Sequence, residues 1–260
     1  DVVVPDDTDY DDQLSFHFVS GNQNSNQNNH IKIEDAWEIY EKAGLTDRTR
    51  VGIIDKGSIR WDHEDLNYET GPGSPTTSKS KVRGGWEFFK DDDFNPWLRG
   101  KYFGGHPTAC AGIIAAFRNN DLGVAGIAGG DWSGSSNNKN GGVDLYSFIL
   151  EEPNGDADKE SMARAINMGY SSGGLDFRLD IMNISMGFNS TSIKIENALQ
   201  LAAQNEMIVV CSRGNSGDNV ERTPATYFDN MVISVGASDN SGNLLSSSNF
   251  GRNMDLIAPG

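Results

Sequence analysis

Five short apolar runs separated by helical patterns constrain this chain more than any other feature. The runs are VGIID (51–55), VDLYSFIL (143–150), IMNISM (181–186), MIVVCS (207–212) and MVISVGA (231–237). They show little polar alternation, as strands covered on both faces should. The spacing predicts helices at DAWEIYEKAG (35–44), ACAGIIAAF (109–117), KESMARAINMG (159–169) and SIKIENALQLAAQ (192–204). Asp35 followed by Glu38 makes a capping-box-like start for the first of these, and Gly44 a stop. Strands alternating with helices predict an α/β fold, a mostly parallel central sheet with helices on both faces. Such sheets gather functional groups at the carboxyl ends of their strands, which points to Asp55 and to Asn215 just after MIVVCS.

Composition narrows the function. With 21 Lys plus Arg against 37 Asp plus Glu, the net charge is −16. A nucleic-acid binder needs a clustered basic surplus, so that class is excluded. No apolar run approaches the ~18 residues that span a bilayer. The 260 residues suit one domain, with about 1–34 as an N-terminal extension and no internal repeat. Residues 20–30 and 129–142 are polar and low in complexity, and read as surface loops. The start, DVVVPDDTDYDDQ, has neither the basic end nor the apolar core of a signal peptide, and its acidity reads as a processed end. Two cysteines, Cys110 and Cys211, make no disulfide framework. Cys110 reads as a small buried hydrophobe, and the reactivity of Cys211 stays open.

Three residues carry candidate chemistry: Asp55 ending a strand, His106 opening a small-residue helix, and Asn215 between glycine-rich turns. Each alone has an ordinary structural reading as a turn or a cap. In this order, with their flanks, they resemble the subtilisin-like serine proteases, the subtilase family. VGIIDKG followed by HEDL resembles the family's aspartate motif, and GGHPTACAGIIAA its histidine motif. NISMGF resembles its substrate-binding strand, and VVCSRGNSG the segment with the oxyanion asparagine. GGWEFFKDDDFNP precedes His106, and TPATYFDNMVISVGASD, SSSNFG and MDLIAPG follow in the family's order. Cys110 and the Asn119–Asn120 pair resemble the kexin-like branch.

The resemblance implies an Asp-His-Ser triad, with Asp55 orienting His106 as general base and Asn215 donating to the oxyanion. Substrate peptide or protein would lie along Ser185, Met186 and Gly187, against Arg213 and Gly214. Arg222 would reach the floor of the pocket that takes the side chain before the cleaved bond. There its guanidinium would favour an acidic residue, unless it turned to solvent or paired with Glu221. Pro107 stands where the family has glycine, and Lys56 where a small or acidic residue is commoner. The family's nucleophile motif, Gly-Thr-Ser-Met-Ala, does not occur in the 260 residues. The serine is therefore expected from a C-terminal remainder of the same domain, on this chain or a companion. The rival is a pseudoprotease, a calcium-stabilised module that binds peptide without cutting it. The resemblance leaves room for a pro-segment ahead of Asp1.

It also implies bound Ca2+, with Asp7, Asp65 and Asn120 as side-chain ligands and the carbonyls of Phe117, Leu122 and Val124 completing an oxygen-only shell. Calcium use and secretion in the family favour a place outside the cytoplasm.

Overall fold

The computed structural model describes residues 4–13, 30–43, 48–67, 80–89, 92–93, 104–131, 142–150, 157–171, 177–227 and 231–260. Its strands are β1 (Thr49–Asp55), β2 (Val82–Glu87), β3 (Asp92–Asp93), β4 (Val143–Ile149), β5 (Ile181–Ile184), β6 (Ile208–Ser212), β7 (Ile233–Ser238) and β8 (Leu256–Pro259). They form one sheet in the order β3-β2-β4-β1-β5-β6-β7-β8. Every neighbouring pair is parallel except β2 with β3. The helices are α1 (Ile33–Ala43), α2 (Gly105–Ala115), α3 (Lys159–Tyr170) and α4 (Ile193–Gln204). The α/β architecture expected from the alternation is therefore present, and among the described residues no helix is long and apolar enough to cross a membrane.

Several boundaries differ from expectation. Helix α1 starts at Ile33, so Asp35 lies in its first turn rather than capping it. Burial of Ile33 and Trp37, one turn apart, against Tyr10 and Ala125 draws the helix start back. Glu34 and Asp35 then sit in the first turn, where the helix dipole favours acids. The expected stop at Gly44 lies outside the described residues, as do 20–29 and 132–141 of the two polar loops. Helix α2 begins at Gly105, four residues before the apolar pattern, which places His106 inside its first turn. Strand β2 was hidden by Gly84-Gly85. Register shifts there, and Gly85 has φ +152° with its Cα against Ser147, where a Cβ would fall 1.8 Å from the Ser147 carbonyl oxygen.

One face of the sheet presents Ile54, Met182, Ile184, Val209 and Cys211 to α3 and α4, in a core shared with Met162, Ile166, Ile195 and Leu199. On the opposite face, Ala111 and Ala115 of α2 pack on Val51, Ile53, Leu145 and Ile149. Parallel register carries that second face on through Ile181, Ile208, Ile233 and Leu256. There the cover ends: Ile208, Ile233 and Leu256 are 49%, 38% and 46% exposed.

The N-terminal segment belongs to the packed unit. Asp9 N–H donates to the Gly123 carbonyl at 2.7 Å, and the Gln13 amide pairs with both backbone groups of Ala125. Arg118, 3% exposed, lies over the Trp37 ring and pairs with Glu41 and Asp131, tying α1 to the loop after α2.

Candidate active site

Asp55 ends β1 at its carboxyl end and is 5% exposed. The backbone N–H of Lys56 donates to its Oδ1 at 2.7 Å, leaving Oδ2 to meet His106 Nδ1 at 2.6 Å. Lys56 thus contributes through its backbone, and its departure from the family pattern costs the site nothing. Two ties place the histidine. Gly104 N–H donates to the Ser58 carbonyl at 3.0 Å, and Arg60 N–H to Thr108 Oγ1 at 3.0 Å, so the exit of β1 is pinned to the first turn of α2. Pro107, the third residue of α2, lacks an N–H that would have no partner inside the helix anyway. The His106 side chain is 61% exposed. With Nδ1 on the carboxylate, Nε2 has no hydrogen-bond partner among the described residues. Among the described residues no serine hydroxyl bonds to His106.

Cys110, one turn along α2, departs from the expected buried hydrophobe. It is only partly buried, and its sulfur lies within 4.8 Å of ligand atoms of Asp55 and His106. Burial, with Asp55 nearby, pushes its pKa up. Cys211 settles differently: full burial against the α4 side drives its thiol well above the ordinary range, so it is unreactive.

Strands β5 and β6 supply the rest of the cleft. Ser185, Met186 and Gly187 continue from β5, and Phe188 pairs with Thr223 through two backbone hydrogen bonds of 2.8 and 2.9 Å. Asn215 follows β6 and is exposed. Arg213 does not face the cleft. Its side chain is 2% exposed and donates to the carbonyls of Phe250 and Arg252, while its own N–H donates to the Val235 carbonyl at 2.8 Å. Arg222 turns neither to solvent nor to Glu221. It bonds Asn189, Ser216 Oγ at 3.0 Å and Asp218 Oδ2 at 3.1 Å, so its guanidinium spans from the segment after β5 to the turn after β6. An acidic substrate side chain would have to displace Asp218 to form the bidentate pair expected from the sequence.

A second cluster forms where the N-terminal segment and Asp65 meet the loop 118–125. Asp65, 4% exposed, accepts from Val124 N–H at 3.0 Å and from Asn120 Nδ2 at 3.1 Å, while Asn120 Oδ1 accepts from Leu122 N–H at 3.0 Å. Asp7, 5% exposed, accepts from Asn119 N–H through Oδ2, and its Oδ1 is buried without a partner among the described residues. Burial, aided by Asp6 and Asp65, pushes the Asp7 carboxyl up to about 6, and burial raises Asp65 as well. Two desolvated carboxylates with an orphaned oxygen suit a hard divalent cation, which would neutralise both. Turning the Asn120 amide about one side-chain bond would present its oxygen beside Asp65. The residues fit the ion.

Comparison with known proteins gives a consistent result. The model of the peptidase S8, or subtilase, family matches residues 46–260. Thermitase of Thermoactinomyces vulgaris is 28% identical over 230 residues, covering 88% of this chain and 68% of its own length. The major intracellular serine protease of Bacillus subtilis (strain 168) is 31% identical over 235 residues, covering 88% of this chain and 63% of its own. The thermophilic serine proteinase of Bacillus sp. (strain AK1) is 29% identical, with 94% of this chain and 50% of its own length covered. The chain thus spans between half and about two thirds of the length of these relatives. Among solved structures, a protease of Pseudoalteromonas arctica superposes with a TM-score of 0.71 at 24% identity, over 99% of this chain and 73% of its own, which is a likeness of fold.

Proposed function

The chain belongs to the subtilase family, and from that premise we propose that it supplies the aspartate, the histidine and the oxyanion asparagine of a serine endopeptidase. One observation carries the reading: the 2.6 Å contact between a buried carboxylate and the ring of a solvent-facing histidine, at the carboxyl ends of parallel strands. Asp55 holds the Nδ1 proton and stabilises the imidazolium as it forms. His106 Nε2 takes the serine proton and later returns it to the leaving amine. Asn215 donates to the oxyanion, an interaction whose loss costs about 2.7–4 kcal/mol in a comparable enzyme. Substrate lies extended along Ser185–Gly187, pairing through its backbone.

The nucleophile is a serine outside these 260 residues, on the same chain or a companion. The uncovered sheet face supports this. Ile208, Ile233 and Leu256 lie on the side that α2 covers over β1, and a further helix carrying the serine would bury them. Asp7, Asp65 and Asn120, with the carbonyls of Phe117, Leu122 and Val124, would hold a calcium ion. When bound, it would supply positive charge between the N-terminal segment and the loop after α2. That dependence suits a place outside the cytoplasm.

The test is labelling of the complete protein by a fluorophosphonate. The wild type should label and His106→Ala should not. Folded wild type that fails to label, while still binding peptide, would establish the pseudoprotease instead.

A further inference from the structure

The turn that presents Asn215 is held by a residue that never touches it. Asn249 is fully buried, and its polar groups bracket the turn on both sides. Its Oδ1 accepts from Ser216 N–H at 2.7 Å and, at 3.4 Å, from Asp218 N–H. Its Nδ2 donates to the Arg213 carbonyl at 3.2 Å, and its own N–H donates to the Gly214 carbonyl at 2.9 Å. The partners fix which end of the amide is which, since only oxygen can accept from Ser216 and only the NH2 can donate to Arg213. Residues 213, 214, 216 and 218 are thus all tied to one side chain and its backbone. Gly217 N–H donates to the Ser247 carbonyl at 2.8 Å, and Asn215 is exposed between these anchored positions. The turn is shaped to the strut: Gly214 has φ +109°, and a Cβ there would lie 2.6 Å from Asn249 Nδ2.

We propose that Asn249 is the positioning residue for oxyanion stabilisation, fixing the turn after β6 so that the Asn215 amide meets the tetrahedral intermediate. The proposal rests on the peptidase reading above. Three other side chains fail here. Aspartate lacks the donor for the Arg213 carbonyl, serine is too short to bridge Arg213 and Ser216, and leucine offers neither bond. Each bond buried and left unmade lets the turn relax, and a displacement of about 1 Å at a reacting group costs about a hundredfold in rate.

The experiment is a double-mutant cycle on the complete protease, using a peptide anilide and following kcat and KM separately, with thermal melting to verify folding. Asn249→Ser should lower kcat about 10- to 100-fold and change KM less than about threefold. Asn249→Asp, which keeps the oxygen that accepts from Ser216, should fall between Asn249→Ser and the wild type. In an Asn215→Ala background, Asn249→Ser should reduce kcat by less than about twofold further, because the group it positions is gone. A full, independent loss in that background would mean a merely structural role and overturn the proposal. So would unchanged kcat in folded single variants. A folded wild type that neither cleaves nor labels with fluorophosphonate overturns the peptidase reading and this proposal together.

Discussion

Lys81 is a lysine buried in the core, and its replacement should stabilise the fold in a pH-dependent way. It is 1% exposed, its ammonium meets only the Gly129 carbonyl and the Phe117 ring at 4.4 Å, and no carboxylate pairs with it among the described residues. Burial, with Arg48 and Arg83 adding and Asp144 opposing, lowers its pKa from 10.5 to about 7. The native state therefore binds fewer protons here than the unfolded chain, so this residue's contribution to stability rises with pH between about 7 and 10.5. At about 1.4 kcal/mol per pH unit, the gap amounts to a penalty of about 5 kcal/mol below pH 7 that vanishes above pH 10.5. Lys81→Met removes that penalty and forfeits the ring contact and the Gly129 bond, together about 2–4 kcal/mol. At pH 6 the variant should be about 1–3 kcal/mol more stable than wild type. The margin should shrink by about 1.4 kcal/mol per pH unit above 7 and change sign between about pH 8 and 9. Urea denaturation from pH 6 to 10, at saturating calcium and in a His106→Ala background to prevent self-cleavage, measures it. A margin that stays constant with pH would refute the reasoning, whatever its size.

Three further outcomes follow from the site. Asp55→Asn keeps the shape but presents an amide NH2 to His106 Nδ1, favouring the wrong tautomer. It should lower kcat about 10^4-fold in the complete enzyme with KM nearly unchanged, and a loss under tenfold would contradict the assignment. A calcium chelator should lower the melting temperature, and Asp65→Ala should lower it too while blunting the chelator's effect. Two melting curves indifferent to chelator would remove the ion from the account. Because Asp218 neutralises Arg222, the wild type should cut after Leu at least as well as after Glu in a matched peptide series. Asp218→Asn should raise the Glu-to-Leu ratio of kcat/KM about tenfold, and an unmoved ratio would place Arg222 away from the substrate.

The pairing of Asp55 with His106 was legible because VGIIDKG, HEDL and GGHPTACAGIIAA, in that order, resemble the subtilase motifs, whereas each residue alone reads as a turn or a cap. The apolar pattern gave VGIID as a strand and the small-residue run after His106 as a helix, though α2 begins four residues before that run. What escaped was set by tertiary packing. Ile33 enters α1 because Trp37, one turn on, needs the same pocket, and no local cap announces it. Gly84-Gly85 reads as a turn until Ser147 is placed against it. The fate of Arg222 depended on Asp218 at i−4 rather than on its neighbour Glu221, and outside a helix that spacing carries no signal. Asn249 sits in SSSNFG, a string that looks like any polar loop, and its role appears only when residues 213–218 are folded over it.

The parallel order of the central strands also governs when a working cleft can exist. β1, β5 and β6 stand side by side, yet Arg50 N–H finds the Asp180 carboxylate 130 residues away, and Asp55 reaches His106 across 51. Contacts of such sequence separation form late, because loop-closure entropy opposes them until the sheet assembles. A nascent or partly unfolded chain therefore carries the aspartate, the histidine and the asparagine as three unconnected side chains. On the proposed peptidase reading, these groups can act together within one chain only once the sheet is complete.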